Sequence, residues 1–138
     1  MIGPFAHLRT GSKIGDNVRV GNFCEIKNSE IGSNSKISHL AYVGDAVVGK
    51  NCNIGCGVIF VNYNGKIKQK TFVGDNVFVG SNVNLIAPLN IGNSAYICAG
   101  TTVDKSVEAN DFVIGRVRQE VKKGKSSKYI SKKDWYNK

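Results

Sequence analysis

Aliphatic side chains recur along this chain at steps of almost always six, and that spacing marks an internal repeat. Ile2, Leu8, Ile14, Val20 and Ile26 open the ladder, Ile31, Ile37, Val43, Val48 and Ile54 continue it, and Val73, Val79, Leu85, Ile91, Ile97 and Val103 close it. Glycine follows the aliphatic in ten of these sixteen units, so each reads roughly Ile-Gly-x-x-small-x. This is the hexapeptide signature of a parallel β-helix, and the chain is expected to be all-β.

Three six-residue sides close one triangular coil, and coils stack at the strand spacing of roughly 4.8 Å. Each aliphatic then lies over its counterpart about one coil earlier. Cys24, Ser35, Ala41, Cys52, Ala95 and Thr101 occupy the fifth position of their units and are expected to point inward, where a narrow prism admits only small groups. The corners need positive φ, which Gly tolerates freely and Asn better than most. Asn duly stands at 17, 34, 51, 76 and 82.

The ladder maps onto six coils, 2–19, 20–36, 37–53, 54–72, 73–90 and 91–108, with short sides at 26–30 and 43–47. Residues 60–72 carry a polar Asn-Gly turn signal and no inward aliphatic register, and read as a loop leaving the prism or as a bulged coil. In so regular a repeat an excursion is where function is expected. The predicted organisation is a β-helix domain over 1–114, with its loop at 60–72, and a basic tail over 115–138.

The basicity belongs to that tail. Residues 1–114 hold ten Lys/Arg against eight Asp/Glu, whereas 115–138 hold nine against two. Its lysine run lacks interleaved aromatics, which argues against nucleic-acid binding and for a solvated extension adding positive potential near an anionic ligand. The four cysteines form no Cys-x-x-Cys pair, so free thiols, no metal and a reducing cytoplasm are expected. No apolar run approaches the ~18 residues of a membrane span. Flat faces of small hydrophobics favour closed symmetric packing, and a homotrimer is the expected assembly.

Arg9 and Lys27 follow the aliphatic on the same side of adjacent coils, so they share one outward column. Stacked cations repel unless an anion lies against them, and a phosphate suits an arginine fork beside a lysine point charge. His39 and Tyr42 run towards that column on the next coil, which predicts a cluster of Arg9, Lys27, His39 and Tyr42. The same residues also read as solvated surface charges, an inert surface histidine and an interface tyrosine.

The segments Gly3-Pro4-Phe5-Ala6-His7-Leu8-Arg9, Val20-Gly21-Asn22-Phe23-Cys24-Glu25-Ile26-Lys27, His39-Leu40-Ala41-Tyr42-Val43-Gly44-Asp45-Ala46 and Asn62-Tyr63-Asn64-Gly65-Lys66 carry a family likeness, as does Ala99-Gly100-Thr101-Thr102-Val103. The chain resembles, over residues 2–118, the C-terminal acetyltransferase domain of the bacterial bifunctional N-acetylglucosamine-1-phosphate uridyltransferase/glucosamine-1-phosphate N-acetyltransferase. The resemblance implies a left-handed winding, a trimer, and acetyl transfer from acetyl-CoA to the amine of glucosamine 1-phosphate. It implies His39 as general base, with Arg9, Lys27, Tyr42, Asn53 and Lys68 at the sugar phosphate. It places Cys56, Asn62, Tyr63, Ser81, Ala99 and Arg116 at acetyl-CoA, in a cleft between subunits.

The chemistry is coherent with those roles. An ammonium cannot attack a thioester, so a base must first take a proton, and attack then loads negative charge on the thioester oxygen, which needs a polar donor such as Asn62 or a backbone amide. The chain departs from the family at Thr10, Cys56, Asn64 and Gly115, where the family commonly has Pro, Ala, Asp and Ser. It carries no Gly-rich nucleotide-binding opening, so uridyl transfer is not expected of it. Rival readings are a hexapeptide acetyltransferase with another acceptor and a catalytically silent trimerisation module.

Overall fold

Strand pairing is parallel throughout the three sheets, and each strand bonds to the equivalent strand of the next coil rather than to its sequence neighbour. The computed structural model describes residues 1–130, so positions 131–138 of the basic tail lie outside the described residues. The first face stacks His7–Leu8, Glu25–Lys27, Tyr42–Gly44, Ile59–Val61, Asn84–Ile86 and Thr102–Val103. The second stacks Lys13–Ile14, Glu30–Ile31, Ala46–Val48, Thr71–Val73 and Leu89–Ile91. The third stacks Arg19–Asn22, Lys36–His39, Asn53–Ile54, Phe78–Val79, Tyr96–Ile97 and Phe112–Val113. This is the expected parallel β-helix of about six coils.

The prism is filled as the repeat dictates. Val20, Ile26, Ile37, Val43, Val79, Leu85 and Ile97 are fully buried, and all six small residues assigned to the fifth position are buried with them. Burying an aliphatic side chain contributes roughly 1.5–3 kcal/mol, so the ladder is the main source of cohesion, each coil contacting only its neighbours. All four cysteines are free. Burial pushes the Cys24 and Cys52 thiols above their ordinary value, and each donates to a backbone carbonyl, Ile37 O and Gly74 O, at 3.2 and 3.0 Å.

The corners carry the predicted asparagines, with φ between 56° and 63° at Asn17, Asn34, Asn51, Asn76 and Asn82. Positive φ also occurs at Phe5, Phe23, Leu40 and Asp45, which composition did not suggest. Outside the prism, Phe78, Tyr96 and Phe112 stack face to face on the third face, with centroids 4.6 and 5.3 Å apart, close to the coil pitch.

The fourth coil corrects the map. Along the first face the register advances from His7 to Glu25, Tyr42, Ile59, Asn84 and Thr102, so the step at the loop is 25 residues where a 19-residue coil was expected. Val73 pairs with Val48 and Ile91 on the second face and does not open a new coil; Val79, paired with Ile54, does. Phe60 is the reason. It occupies the inward place on the first face, opposite Leu85 and 1% exposed, where a count of aliphatics finds nothing. The loop therefore leaves after Val61 and rejoins at Thr71, a shorter excursion than 60–72.

The tail begins against the wall. Gly115 N donates to Thr101 Oγ1 at 3.2 Å and Arg116 Nη1 to Ala99 O at 2.8 Å, before a single short 3-10 turn at Ser126–Lys128. No helix among the described residues is long and apolar enough to cross a membrane.

Candidate active site

The coil step sets which side chains share a column. Leu8 pairs with Ile26 and Arg9 N donates to Ile26 O at 2.7 Å, so Arg9 and Lys27 are successive members of one outward column, as expected. Lys27 is in register with Gly44 on the following coil, at the border where the first face turns into the second. Gly44 is required there for space: a Cβ would collide with the Tyr42 hydroxyl and stand 2.6 Å from its Cζ and 2.7 Å from Asn62 Nδ2. The Tyr42 ring thus lies across Gly44 and aims its hydroxyl at that border.

The residue after Gly44 organises the border. Asp45 accepts from Lys27 Nζ at 3.1 and 3.0 Å, from Asn28 Nδ2 at 2.9 Å and from Asn62 Nδ2 at 2.7 Å. Asn62 Nδ2 also donates to the Tyr42 hydroxyl at 3.2 Å. Lys68, on the loop, is bridged to Tyr63. The predicted residues Lys27, Tyr42 and Asn62 therefore meet at the carboxylate of Asp45, which is not among the residues expected at the site. The only local signal was Gly44-Asp45 at a short side, which resembles any surface turn.

Burial on its own would raise the Asp45 pKa, but the hydrogen bonds from Asn28, Lys27 and Asn62 outweigh it and hold the carboxyl below its ordinary value. The hydrogen bond to Asp45 correspondingly raises Lys27 above the ordinary ammonium value, against the opposing effect of burial. The signs fix a pH window. A depressed carboxyl contributes stability above its unfolded pKa that is lost as pH falls through the folded one; a raised ammonium contributes below its unfolded pKa and loses it as pH rises through the folded one. The gap in thermal stability between the parent and Asp45→Ala is thus expected to be flat across neutral pH and to close only at strongly acidic and strongly basic pH. A gap that opens or closes between pH ~5 and ~9, inside the window bounded by ordinary carboxyl and ammonium values, contradicts the ion pair.

His39 takes a different position. It ends the strand Lys36–His39, in register with Asn22, and is exposed rather than turned into the prism. Extending the pairs Ile37–Ile54, Ile54–Val79 and Val79–Ile97 by two residues puts His39, Cys56, Ser81 and Ala99 in one column along the corner between the third and first faces. Three coil steps span roughly 14 Å. Arg116 joins the column's end through its bond to Ala99 O.

Of the expected cluster of Arg9, Lys27, His39 and Tyr42, Lys27 and Tyr42 are joined through Asn62 and Asp45 and Arg9 is in register beside Lys27, whereas His39 hydrogen-bonds to none of them. Lys27 sits beside Gly44, five residues beyond His39, so the two occupy opposite borders of the first face, at most roughly 17 Å of backbone apart. Tyr42 crosses that face and belongs with Lys27. Asn53 lies on the third face, between Lys36 and Phe78, and joins neither group. Tyr63 is exposed on the loop, bridged to Lys68. Asn64 Oδ1 accepts from the Lys66 and Ile67 amides at 2.9 Å each, a turn that the family's Asp would serve equally.

The sequence of this chain is 57% identical over 121 residues to the bifunctional protein GlmU of Acetivibrio thermocellus, and 54% identical over 134 residues to that of Limosilactobacillus reuteri. These alignments cover 88% and 97% of this chain. The chain belongs to the family of the GlmU C-terminal hexapeptide domain. It spans 26% and 29% of those two relatives, about a quarter of the family's full-length chains. The family model "Bacterial transferase hexapeptide (six repeats)" matches residues 1–28. Among solved structures, the fold is similar to a GDP-perosamine N-acetyl transferase mutant from Caulobacter crescentus in complex with CoA and GDP-perosamine, at a TM-score of 0.75, 23% identity and coverage of 86% of this chain and 56% of that one. It is similar too to the acetyltransferase domain of PglB from Neisseria gonorrhoeae in complex with acetyl coenzyme A, at a TM-score of 0.74, 18% identity and coverage of 83% and 53%. At those identities the likeness to the two solved structures is one of fold alone.

Proposed function

We propose that this chain is an acetyl-CoA-dependent N-acetyltransferase that acylates the amine of glucosamine 1-phosphate, a step towards UDP-N-acetylglucosamine in the cytoplasm. The observation that carries this is the outward column of His39, Cys56, Ser81 and Ala99, a base and a run of small side chains at one pitch. Such a column gives an extended thioester arm small side chains to lie against, and it ends at the Arg116 guanidinium. GlmU relatives more than half identical over most of the chain support the same reaction.

In this reading His39 takes the proton that the acceptor amine loses as its nitrogen bonds to the acetyl carbon. The carbon–sulfur bond breaks, and the departing thiolate takes up a proton to leave as free CoA thiol. Arg9 and Lys68 hold the acceptor phosphate, and Lys27 offers it the N–H that Asp45 leaves open. Asn62 and the loop border the donor side. The His39 column and the Lys27 border stand apart within one chain, and a homotrimer brings the border of one subunit against the column of its neighbour. No metal is assigned a role.

The test is release of CoA thiol with glucosamine 1-phosphate, glucosamine or an unrelated primary amine as acceptor. Glucosamine 1-phosphate is expected to exceed glucosamine at least about tenfold in kcat/KM, because a hydrogen bond to a charged group contributes about 1.5–3 kcal/mol. Arg9→Ala is expected to raise the acceptor KM about tenfold and leave that of acetyl-CoA unchanged. Equal use of glucosamine would point to a different acceptor; no turnover with any amine would leave only an assembly module.

A further inference from the structure

Asp45 is a buried carboxylate, with 5% of the residue exposed. Buried charges persist only where they are paired and hydrogen-bonded. Its side-chain partners come from two places in the chain: Lys27 and Asn28 from the preceding coil, and Asn62 from the first residue of the protruding loop. The coil itself does not need the side chain. The backbone ladder runs through this position, Asp45 N donating to Lys27 O at 3.0 Å and Thr71 N to Asp45 O at 3.3 Å.

Every side-chain atom facing Asp45 is a donor: one ammonium and two amide nitrogens. Only an acceptor-only group satisfies all of them. Its φ of 50° adds a backbone condition that Asp meets better than most residues. Both carboxylate oxygens accept from the Lys27 ammonium, which holds that side chain in one direction. Asn62, held by the same carboxylate, passes the constraint to the Tyr42 hydroxyl.

We infer that Asp45 is a positioning residue that locks Lys27 and Asn62 into one arrangement, joining the acceptor side of the site to the donor side and docking the loop 62–70 on the wall. The terms acceptor and donor rest on the acetyl-transfer reading above; the lock rests on the hydrogen bonds alone. A consequence is coupling: whatever releases Asp45 frees Lys27 and Asn62 together, so both substrates lose by it.

The experiment uses the full chain and Asp45→Asn, in which one carboxylate oxygen becomes an NH2 facing donors. Hydrogen exchange is read at the Gln69 and Asn64 amides, which bond to Asn62 O at 2.8 Å and Ile67 O at 3.3 Å within the loop. Exchange there is expected to accelerate at least about tenfold, with amides of the third face unchanged. KM is expected to rise together for acetyl-CoA and glucosamine 1-phosphate, about fivefold or more each, because both sides lose the same anchor. Unchanged loop exchange overturns the lock, and acceleration with either KM at the parent value overturns the coupling. If Asp45→Asn does not fold, Asn62→Ala removes the tie from the loop side, and unchanged exchange at Gln69 in that variant is equally fatal. A parent without turnover defeats the acetyl-transfer reading instead, while the exchange measurement still decides the lock.

Discussion

Replacing His39 by Ala is expected to lower kcat by about 10²–10⁴-fold, the contribution of a positioned general base, with both KM values held within about threefold. His39 ends its strand exposed at the corner, and the backbone beside it is held by Leu40 N donating to Asn22 O at 3.0 Å, so the substitution removes an imidazole and no packing. The variant should unfold at the same temperature as the parent. Turnover is measured as CoA thiol release, and added imidazole is expected to restore part of the loss in His39→Ala and to do nothing for Arg9→Ala. Undiminished turnover in His39→Ala would remove the proposed base, and with it the assignment of the column as the reacting face.

The largest expected loss of stability is at Phe60. Truncation to Ala should cost about 3–5 kcal/mol, the range for a buried aromatic whose cavity cannot fully collapse. Phe60 is the bulkiest of the fully buried side chains and stands opposite Leu85. Each coil rests only on its neighbours, so a void in the fourth loosens the stack on both sides and also the point where the loop departs. Urea unfolding followed by far-ultraviolet circular dichroism measures it. A loss below about 1 kcal/mol would mean that the inward register on the first face is set by something other than Phe60.

The same residue marks where sequence and structure part. Sixteen aliphatics, six small inward side chains and five corner asparagines were enough for the architecture, because each answers to one constraint repeated every few residues. Phe60 obeys that constraint with an aromatic, so a ladder of aliphatics breaks there and gives the fourth coil 19 residues where the register has 25. His39, Cys56, Ser81 and Ala99 share a column for a reason visible in the spacing once the loop is given its true length. Asp45 was invisible for a different reason. Gly44-Asp45 and Gly74-Asp75 look alike as dipeptides, yet Asp45 is buried among donors from another coil and the loop, while Asp75 Oδ1 accepts from the exposed Lys50 amide at 2.8 Å. Only contacts between distant segments separate them. The division of Lys27 from His39 likewise depends on which end of a face a side chain occupies, and Tyr42, three residues after His39, turns away from it towards Gly44.

Val61 remains paired with Ile86, and Thr71 with Ala46 and Leu89, although nine residues are looped out between them. The prism thus has a seam at which chain can be spliced in or out without rotating any later inward residue. An insertion of the same size in an uninterrupted side would turn every following aliphatic towards water. One segment of such a wall can be exchanged while the column through His39 and the column through Arg9 and Lys27 keep their pitch.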